Sequence, residues 1–303
     1  MVSFCFEKRD METESLRIFC MVAAELSITQ AAARLGRAPS NVTTRIQQLE
    51  ADLGAGLFVR TGKRIALSAA GQQFRVYAER LLALEDEARQ VVSNGASGGV
   101  LRIGSMESTA ASRLPDVLAA FHVDHPPTRL SLRTGPSRQL IEQVETGALD
   151  CAFAALADGG ADLADLAETG LRATPVWVED LLLLMSPGEA GVDDARKVTA
   201  RSLAAFPQGC TYRSLAEDRL GVARDPAWRV HEMSSYHAMI ACVAAGACVT
   251  VLPVSVLALG GAPASLTTLP LGRLDTCLVW RDGFATPAFR AFAARLGVRL
   301  EPR

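Results

Sequence analysis

The sequence predicts an α+β chain of several domains: a helical N-terminal head, one long helix and a larger α/β part. Three observations predict it. Apolar residues recur at helical spacing from Leu16 to Ala88. The run Ser93-Asn94-Gly95-Ala96-Ser97-Gly98-Gly99 then interrupts any regular element and reads as a hinge. From Val100 onward, short apolar runs alternate with helical stretches, the βαβ rhythm of parallel sheets covered by helices.

In the head, Leu16, Phe19, Cys20 and Ala23 mark a first helix. Ser27 or Thr29 can cap a short second helix containing Ala31, Ala32 and Leu35, and Gly36 allows the turn after it. A third helix is expected from Pro39 to Leu53, with Pro39 in its first turn and Val42, Ile46 and Leu49 as its buried stripe. Gly62, flanked by Arg60, Lys63 and Arg64, predicts a tight β-turn with a basic tip. The long helix is expected from Ser68 to Ser93. Its stripe of Phe74, Tyr77, Ala78, Leu81, Leu84 and Ala88 is too apolar for a lone helix and predicts a partner. In the α/β part, strands are expected at Val100–Gly104, Leu130–Thr134, Asp150–Leu156, Val176–Met185, Gln208–Tyr212, Val249–Leu252 and Thr276–Trp280. Helices are expected at Thr109–Phe121, Ser137–Thr146, Ser214–Leu220, Ser235–Ala245 and Pro287–Gly297.

Composition narrows the functional classes. The chain has 303 residues, 49% hydrophobic and 21% charged, enough for two or three globular domains. A formal net charge of -2 names no partner. Its distribution does: from Ile28 to Leu67, six basic residues (Arg34, Arg37, Arg45, Arg60, Lys63, Arg64) stand against two acidic ones (Glu50, Asp52). A basic patch on an otherwise acidic chain suits a polyanionic partner at one end. Seven scattered cysteines (Cys5, Cys20, Cys151, Cys210, Cys242, Cys248, Cys277) form no C-x-x-C pair, which argues against a disulfide scaffold or zinc site and suits a reducing compartment. Neither a signal peptide nor a spanning segment is present in the sequence. A cytoplasmic protein is expected, with residues 1–10 as a disordered lead.

Ile28 to Glu50 carries a helix-turn-helix pattern. Ala31, Ala32 and Ala33 let two helices cross closely, Gly36 takes the turn, and Val42 and Ile46 lock the second helix onto the first. The exposed face of that helix offers Ser40, Asn41, Thr43, Thr44 and Arg45, with Thr29 opening the helix before it. Short polar side chains near a helix N-terminus reach phosphates and base edges in a major groove, while Arg60, Lys63 and Arg64 suit the backbone or minor groove. Helix triplets of this kind also occur without a DNA partner. The basic turn and the lack of acid from Ile28 to Leu49 favour DNA.

These residues, in this order, resemble a family. Ala31-Ala32-Ala33-Arg34-Leu35 through Ile46-Gln47-Gln48-Leu49-Glu50, then Leu53-Gly54, Leu57-Phe58, Arg60, Leu67-Ser68 and Ala70-Gly71, resemble the N-terminal signature of LysR-type transcriptional regulators. Leu101-Arg102-Ile103-Gly104 is similar to the first strand of that family's effector domain. Gly147, Leu149 and Asp150 resemble its G-x-L-D turn, and Val243-Ala244-Ala245-Gly246 to Leu252-Pro253 its V-A-A-G…L-P segment. The likeness runs from Met11 onward. Ala38 and Pro39 depart from a usual small polar residue and Gln, Thr44 from a frequent Arg, and Cys248 from a frequent Gly, so the base preference of relatives does not transfer.

The resemblance implies a winged helix-turn-helix over 11–67 and a dimerisation helix over 68–92 whose seam includes Phe74, Tyr77, Leu81, Leu84 and Ala88. It further implies a hinge over 93–99 and, over 100–303, an effector domain similar to type 2 periplasmic binding proteins. Lobe I would hold 100–172 and 272–303, and lobe II 173–271, with crossings near Ala173 and Leu271. A homodimer assembling to a homotetramer on double-stranded promoter DNA is implied, with a small-molecule metabolite effector and contact with RNA polymerase. No cofactor, metal, membrane or catalysis is expected.

Ligands in open α/β sheets sit beyond the carboxyl ends of strands, near helix N-termini. That rule selects Ser105, Met106, Glu107, Ser108 and Thr109, then Gly135, Pro136 and Ser137, and in the second lobe Thr211, Tyr212 and Arg213 with Ser234, Ser235 and His237. Each hydroxyl taken singly is equally an N-cap. Arg213 suits a carboxylate, or else is a solvent-facing helix-start residue; Glu107, if it points inward, suits a cationic group. His122 and His125 lack an acidic or Cys partner and read as solvent-facing. Cys242 and Cys248 read as buried thiols, and Cys210 is the one with a redox alternative. Two other readings are a solute-binding protein whose head only oligomerises it, and an α/β enzyme with a helical appendage. The missing signal peptide counts against the first. A hydroxyl-rich cleft, with no nucleophile elbow, P-loop or G-x-G-x-x-G after a suitable strand, favours binding over chemistry.

Overall fold

The computed structural model describes residues 11–61, 64–92, 99–156 and 159–300. They divide into two compact units, the first reaching to Arg89 and the second comprising Gln90–Glu145 and Leu149–Arg303. The expected lead over 1–10, the turn tip Gly62-Lys63 and hinge residues 93–98 lie outside the described residues.

The first unit opens with α1 (Thr13–Glu25), α2 (Ile28–Leu35) and α3 (Pro39–Leu53). Ser27 Oγ accepts the Gln30 N–H at 3.3 Å, so Ser27 rather than Thr29 caps α2. The turn between α2 and α3 needs a left-handed residue, which Gly36 supplies at φ +64°. Val42, Ile46 and Leu49 of α3 close an apolar core with Phe19, Val22, Ala31 and Ala32. Phe19 is fully buried, its ring 5.4 Å from that of Phe58 and 5.1 Å from that of Phe74. Strands β1 (Phe58–Thr61) and β2 (Arg64–Leu67) pair antiparallel from Phe58↔Leu67 to Thr61↔Arg64, forming the wing. Helix α4 (Ala69–Val92) follows, and Ser68 Oγ accepts the Gly71 N–H at 2.9 Å. Its apolar stripe divides: Phe74 and Ala78 pack into the head, whereas Tyr77, Leu81, Leu84 and Ala88 stay exposed.

The second unit is built on eight strands: β3 (Val100–Ser105), β4 (Arg129–Thr134), β5 (Cys151–Leu156), β6 (Leu171–Met185), β7 (Ser202–Ala205), β8 (Arg229–Glu232), β9 (Val249–Pro253) and β10 (Thr267–Arg281). Around them lie α5 (Glu107–Ser112), α6 (Leu114–Asp124), α7 (Ser137–Glu145), α8 (Gly159–Glu168), α9 (Thr211–Leu220), α10 (Tyr236–Ala244), α11 (Val254–Leu257) and α12 (Pro287–Arg295). The sheet order is β4-β3-β5-β10-β6-β9-β7-β8. As the βαβ rhythm predicts, β3 runs parallel to β4 and β5, and β7 parallel to β8 and β9.

Strands β6 and β10 depart from the expected parallel pattern. They pair antiparallel with each other, β10 also with β5 and β6 also with β9. These two long strands carry the chain between lobes, which no short βα crossover does. Asp275–Trp280 pair with β5, and Leu181–Leu184 pair with β9. The passage in β6 therefore falls after Val178, later than Ala173, and that in β10 falls between Leu271 and Asp275.

Other boundaries also moved. The helix expected over Thr109–Phe121 is two helices parted at Arg113, because Pro115 lacks an N–H and its ring clashes with the carbonyl four residues back. The strand expected over Gln208–Tyr212 is absent. The strand is β7, upstream at Ser202–Ala205; Pro207 and Gly209 break extended pairing, and Thr211 already opens α9. The sequence signals missed α8, which starts on a Gly pair, and β8, a short exposed edge strand without apolar alternation. Asp150 of the G-x-L-D turn is structural: its Oδ2 accepts the Arg102 N–H of β3 at 2.7 Å.

Candidate nucleic-acid interface and ligand cleft

On the first unit, Thr29, Ser40, Asn41 and Thr44 are exposed, and Thr43 and Arg45 are half-exposed. No side chain caps the N-terminus of α3, where Ala38 holds the cap position. Thr43 and Thr44 donate their hydroxyl protons to the carbonyls of Pro39 and Ser40, at 3.0 Å each. Outward they present oxygen lone pairs and methyl groups, which suits base-edge amino groups and thymine methyls. Arg45 Nη1 lies 3.1 Å from Glu12 Oε2, Arg34 pairs with Glu25 at 2.9 Å and Arg37 with Glu14. These basic residues of the head are thus paired beforehand with acids of α1 and its N-cap. The backbone of the wing carries Arg60 and Arg64 as register neighbours one pair apart; their side chains and Lys63 lie outside the described residues.

In the second unit, lobe I supplies Met106, Glu107, Ser108, Gly135 and Pro136 to one small cavity, and lobe II supplies Phe206, Cys210, Tyr212 and Tyr236. Its volume is about 20 Å³, room for about one water. Of the cleft residues singled out in the sequence, Met106, Glu107, Ser108, Gly135, Pro136 and Tyr212 line it. Ser105, Ser137 and Thr211 instead hold the backbone around it. Ser105 Oγ donates to Met106 O (2.9 Å), Ser137 Oγ accepts the Ala155 N–H (3.1 Å) and Thr211 Oγ1 donates to Ala155 O (2.8 Å).

Arg213 is buried and committed elsewhere: Nε meets Glu217 at 2.7 Å, and Nη1 meets Glu232 at 2.7 Å and Phe206 O at 3.2 Å. Burial alone would lower its pKa; the two carboxylates outweigh burial and raise it. It pins α9 to β8. Ser235 is half-buried at the N-cap of α10 and His237 is exposed, while Tyr236 between them forms the wall. Phe206 and Tyr236 escaped the sequence reading because hydroxyl chemistry, not aromatic walls, guided it.

Through Ser108 and Tyr212 the cavity wall adjoins buried polar atoms of this unit. Ser108 Oγ, Thr109 Oγ1, Tyr212 Oη, Thr276 Oγ1 and Glu179 Oε2 make no hydrogen bond of ordinary geometry. Ser108 and Thr276 nonetheless sit near the Tyr212 hydroxyl. Burial first, then the Glu179 charge, push that phenol up to about 12. Glu179 Oε1 accepts Arg113 Nε at 2.8 Å. A buried group left unpaired costs about 1–3 kcal/mol.

Direct contacts join the two lobes. The Arg138 N–H donates to Gly209 O at 3.3 Å, and Ser112 Oγ to Ser255 Oγ at 3.1 Å. Gly209 permits the approach: at φ +91°, an added Cβ would come 3.2 Å from Arg138 Cβ.

Burial raises the thiol pKa of Cys210 and takes those of Cys248 and Cys277 up to about 11 and Cys20 up to about 12. None of these four is the low-pKa thiolate a redox switch uses. Among the described residues no group of three His, Cys, Asp or Glu could hold a metal ion, and no helix is long and apolar enough to cross a membrane.

A winged helix-turn-helix joined to a two-lobed α/β unit with a cleft defines a ligand-sensing DNA-binding regulator. Comparison with known proteins supplies the family. Residues 13–72 match the bacterial regulatory helix-turn-helix protein, lysR family, and residues 94–300 match the LysR substrate binding domain. The chain belongs to the LysR family of transcriptional regulators. The HTH-type transcriptional regulator YusT of Bacillus subtilis strain 168 is 35% identical over 93% of this chain and 94% of its own. GltR of the same organism is 35% identical over 82% of this chain and 81% of its own. A full-length OxyR variant from Pseudomonas aeruginosa shares the fold, with a TM-score of 0.67 and 21% identity over 95% of each chain. The curated relatives are named as regulators, and this chain is a DNA-binding regulator with a substrate-binding domain rather than an enzyme.

Proposed function

We propose that this regulator reads a promoter with α3 and the β1–β2 wing, and changes state when a small metabolite fills the cleft between its lobes. The observation that carries the first half is the exposure of Ser40, Asn41 and Thr44 on one end of α3, above a closed apolar core. A second copy of the chain covers the exposed stripe Tyr77, Leu81, Leu84 and Ala88 of α4, giving a homodimer that presents two heads to a near-palindromic site. Association of the second units then makes a homotetramer, acting in the cytoplasm on access for RNA polymerase. The effector acts only through its differential affinity for two subunit arrangements.

A gel shift with the DNA upstream of the regulator's own gene tests the DNA half. Arg45→Ala should weaken the specific site by about 1–3 kcal/mol, while Lys63→Ala should weaken every sequence alike and lower the salt slope by about 1. Equal losses on specific and random DNA from both changes would refute this division of labour. A thermal-shift screen of metabolites tests the other half, since a ligand of the native state raises its stability. Ser108→Ala should blunt the effector response; unchanged sensitivity removes Ser108 from the site.

A further inference from the structure

The cleft's charge is one-sided. Glu107 lines the cavity, is half-exposed and forms no ion pair among the described residues. None of the described residues lining the cavity is a Lys, Arg or His. Arg213, the basic residue the sequence places there, is held by Glu217 and Glu232. Arg138 is exposed beside Gly209, at the rim rather than in the wall. The other titratable wall groups, Cys210, Tyr212 and Tyr236, are all acids, and burial raises each of them. An anion entering here meets a carboxylate and no cation in the wall.

Helix N-termini favour the opposite charge. Glu107 is itself the first residue of α5, which already supplies that end with an anion. The first N–H groups of α9 follow the buried Cys210, whose side chain makes no capping hydrogen bond. No side chain caps α10 at Ser235 either, and α7 opens beside Pro136 with its Arg138 N–H already given to Gly209 O. A full like charge at contact distance outweighs these partial charges. Two further features define the rest of a ligand. Phe206 and Tyr236, with ring centroids 4.9 Å apart, form an aromatic wall that accepts an apolar body and attracts a cation. The hydroxyls of Ser108 and Tyr212 lie near each other without a hydrogen bond of ordinary geometry and can share one polar atom of a ligand.

We propose that the effector is a small amine, its ammonium paired with Glu107, its apolar body against Phe206 and Tyr236, and its remaining polar atom facing Ser108 and Tyr212. This assignment rests on the cleft being the effector site. The cavity as it stands is smaller than such a ligand, so entry parts the lobes at the Arg138–Gly209 and Ser112–Ser255 contacts.

The test uses the full-length protein and three probes of matched body: 2-phenylethylamine, 2-phenylethanol and phenylacetate, followed by thermal shift and calorimetry. The amine should bind tightest and the acid weakest, with a Kd ratio of about tenfold or more. Glu107→Gln should erase the preference of amine over alcohol, and Glu107→Lys should reverse the order of amine and acid. Arg138→Gln should leave the order unchanged. The proposal fails if phenylacetate binds tightest to the unaltered protein, if Glu107→Lys leaves the order intact, or if none of the three binds at millimolar concentration. Ser108→Ala separates the two claims. An acid that binds and is weakened by Ser108→Ala leaves the cleft standing and sinks the amine. A probe indifferent to both Ser108→Ala and Glu107→Lys binds elsewhere and sinks the cleft as well.

Discussion

The two units keep their polar chemistry in opposite places. In the head, Phe19, Val22, Ala31, Val42 and Leu49 make a dry core, and the hydroxyls and Arg45 of α3 sit outside it. In the second unit, Ser108, Thr109, Glu179, Tyr212 and Thr276 are buried, each with a polar atom that lacks a partner. The difference follows from what each face meets. A polyanion brings its own charge and strips water only on contact, so groups that meet it can stay solvated. A small ligand offers few atoms, and selectivity then requires groups dehydrated in advance, whose unmet hydrogen bonds reject the wrong shape. The head is therefore stabilised by what it buries, and the sensor bears a cost for what it buries.

The largest expected effect breaks the head's side of this comparison. Phe19 is fully buried between the rings of Phe58 and Phe74, joining α1 to the wing and to α4. Phe19→Ala should cost about 3–5 kcal/mol, a large share of a small unit's stability. Calorimetry of the full chain should show the head melting far earlier, with DNA retention lost at temperatures where effector binding persists. A loss below about 1 kcal/mol would mean that the head's stability resides elsewhere.

A smaller effect, of opposite sign, sharpens the sensor's side. Tyr212→Phe removes a buried hydroxyl without removing the ring. In the ligand-free protein it should leave stability unchanged or raise it by about 1 kcal/mol, because the unpaired group is gone. The same change should weaken effector binding. A clear drop in melting temperature without ligand would show that Tyr212 Oη is already satisfied, and the contrast between the units would fade.

How far this was legible in the sequence differs between the units for the same reason. The head obeys local rules: Ser27 as a cap, Gly36 as a turn, and Val42, Ile46 and Leu49 at helical spacing all appear in the chain as they stand in the fold. The parallel βαβ runs of the second unit were readable too. Strands β6 and β10 were underestimated because each is buried at one end and exposed at the other, which erases a single period. In the cleft, Ser108 and Tyr212 were found by their place after a strand or at a helix start. Whether Arg213 faces ligand or carboxylate was not, since Glu232 lies on β8, a strand whose pairing no local pattern announces. Tyr236 was missed by one residue, because a helix's facing direction depends on a first turn whose start shifts easily.

The finest test returns to the head and asks whether its exposed charges are free. Arg45 is held at 3.1 Å by Glu12, and both side chains are substantially exposed. Surface pairs of this kind are worth about 0.2–1 kcal/mol, and DNA must break this one before Arg45 can contact it. Glu12 also sets a negative charge near the approaching phosphates. Glu12→Gln should therefore tighten binding to random DNA by up to about fivefold at low salt, with the gain shrinking as ionic strength rises. At the promoter site the gain should be smaller, because the base contacts proposed for Arg45 would fix it there, so the ratio of specific to random affinity should fall. Fluorescence anisotropy with a promoter fragment and a scrambled one, at two salt concentrations, measures both quantities. If random binding does not change, Glu12 exerts no restraint, and the pairing of head arginines with the acids of α1 has no bearing on how the regulator discriminates among sequences.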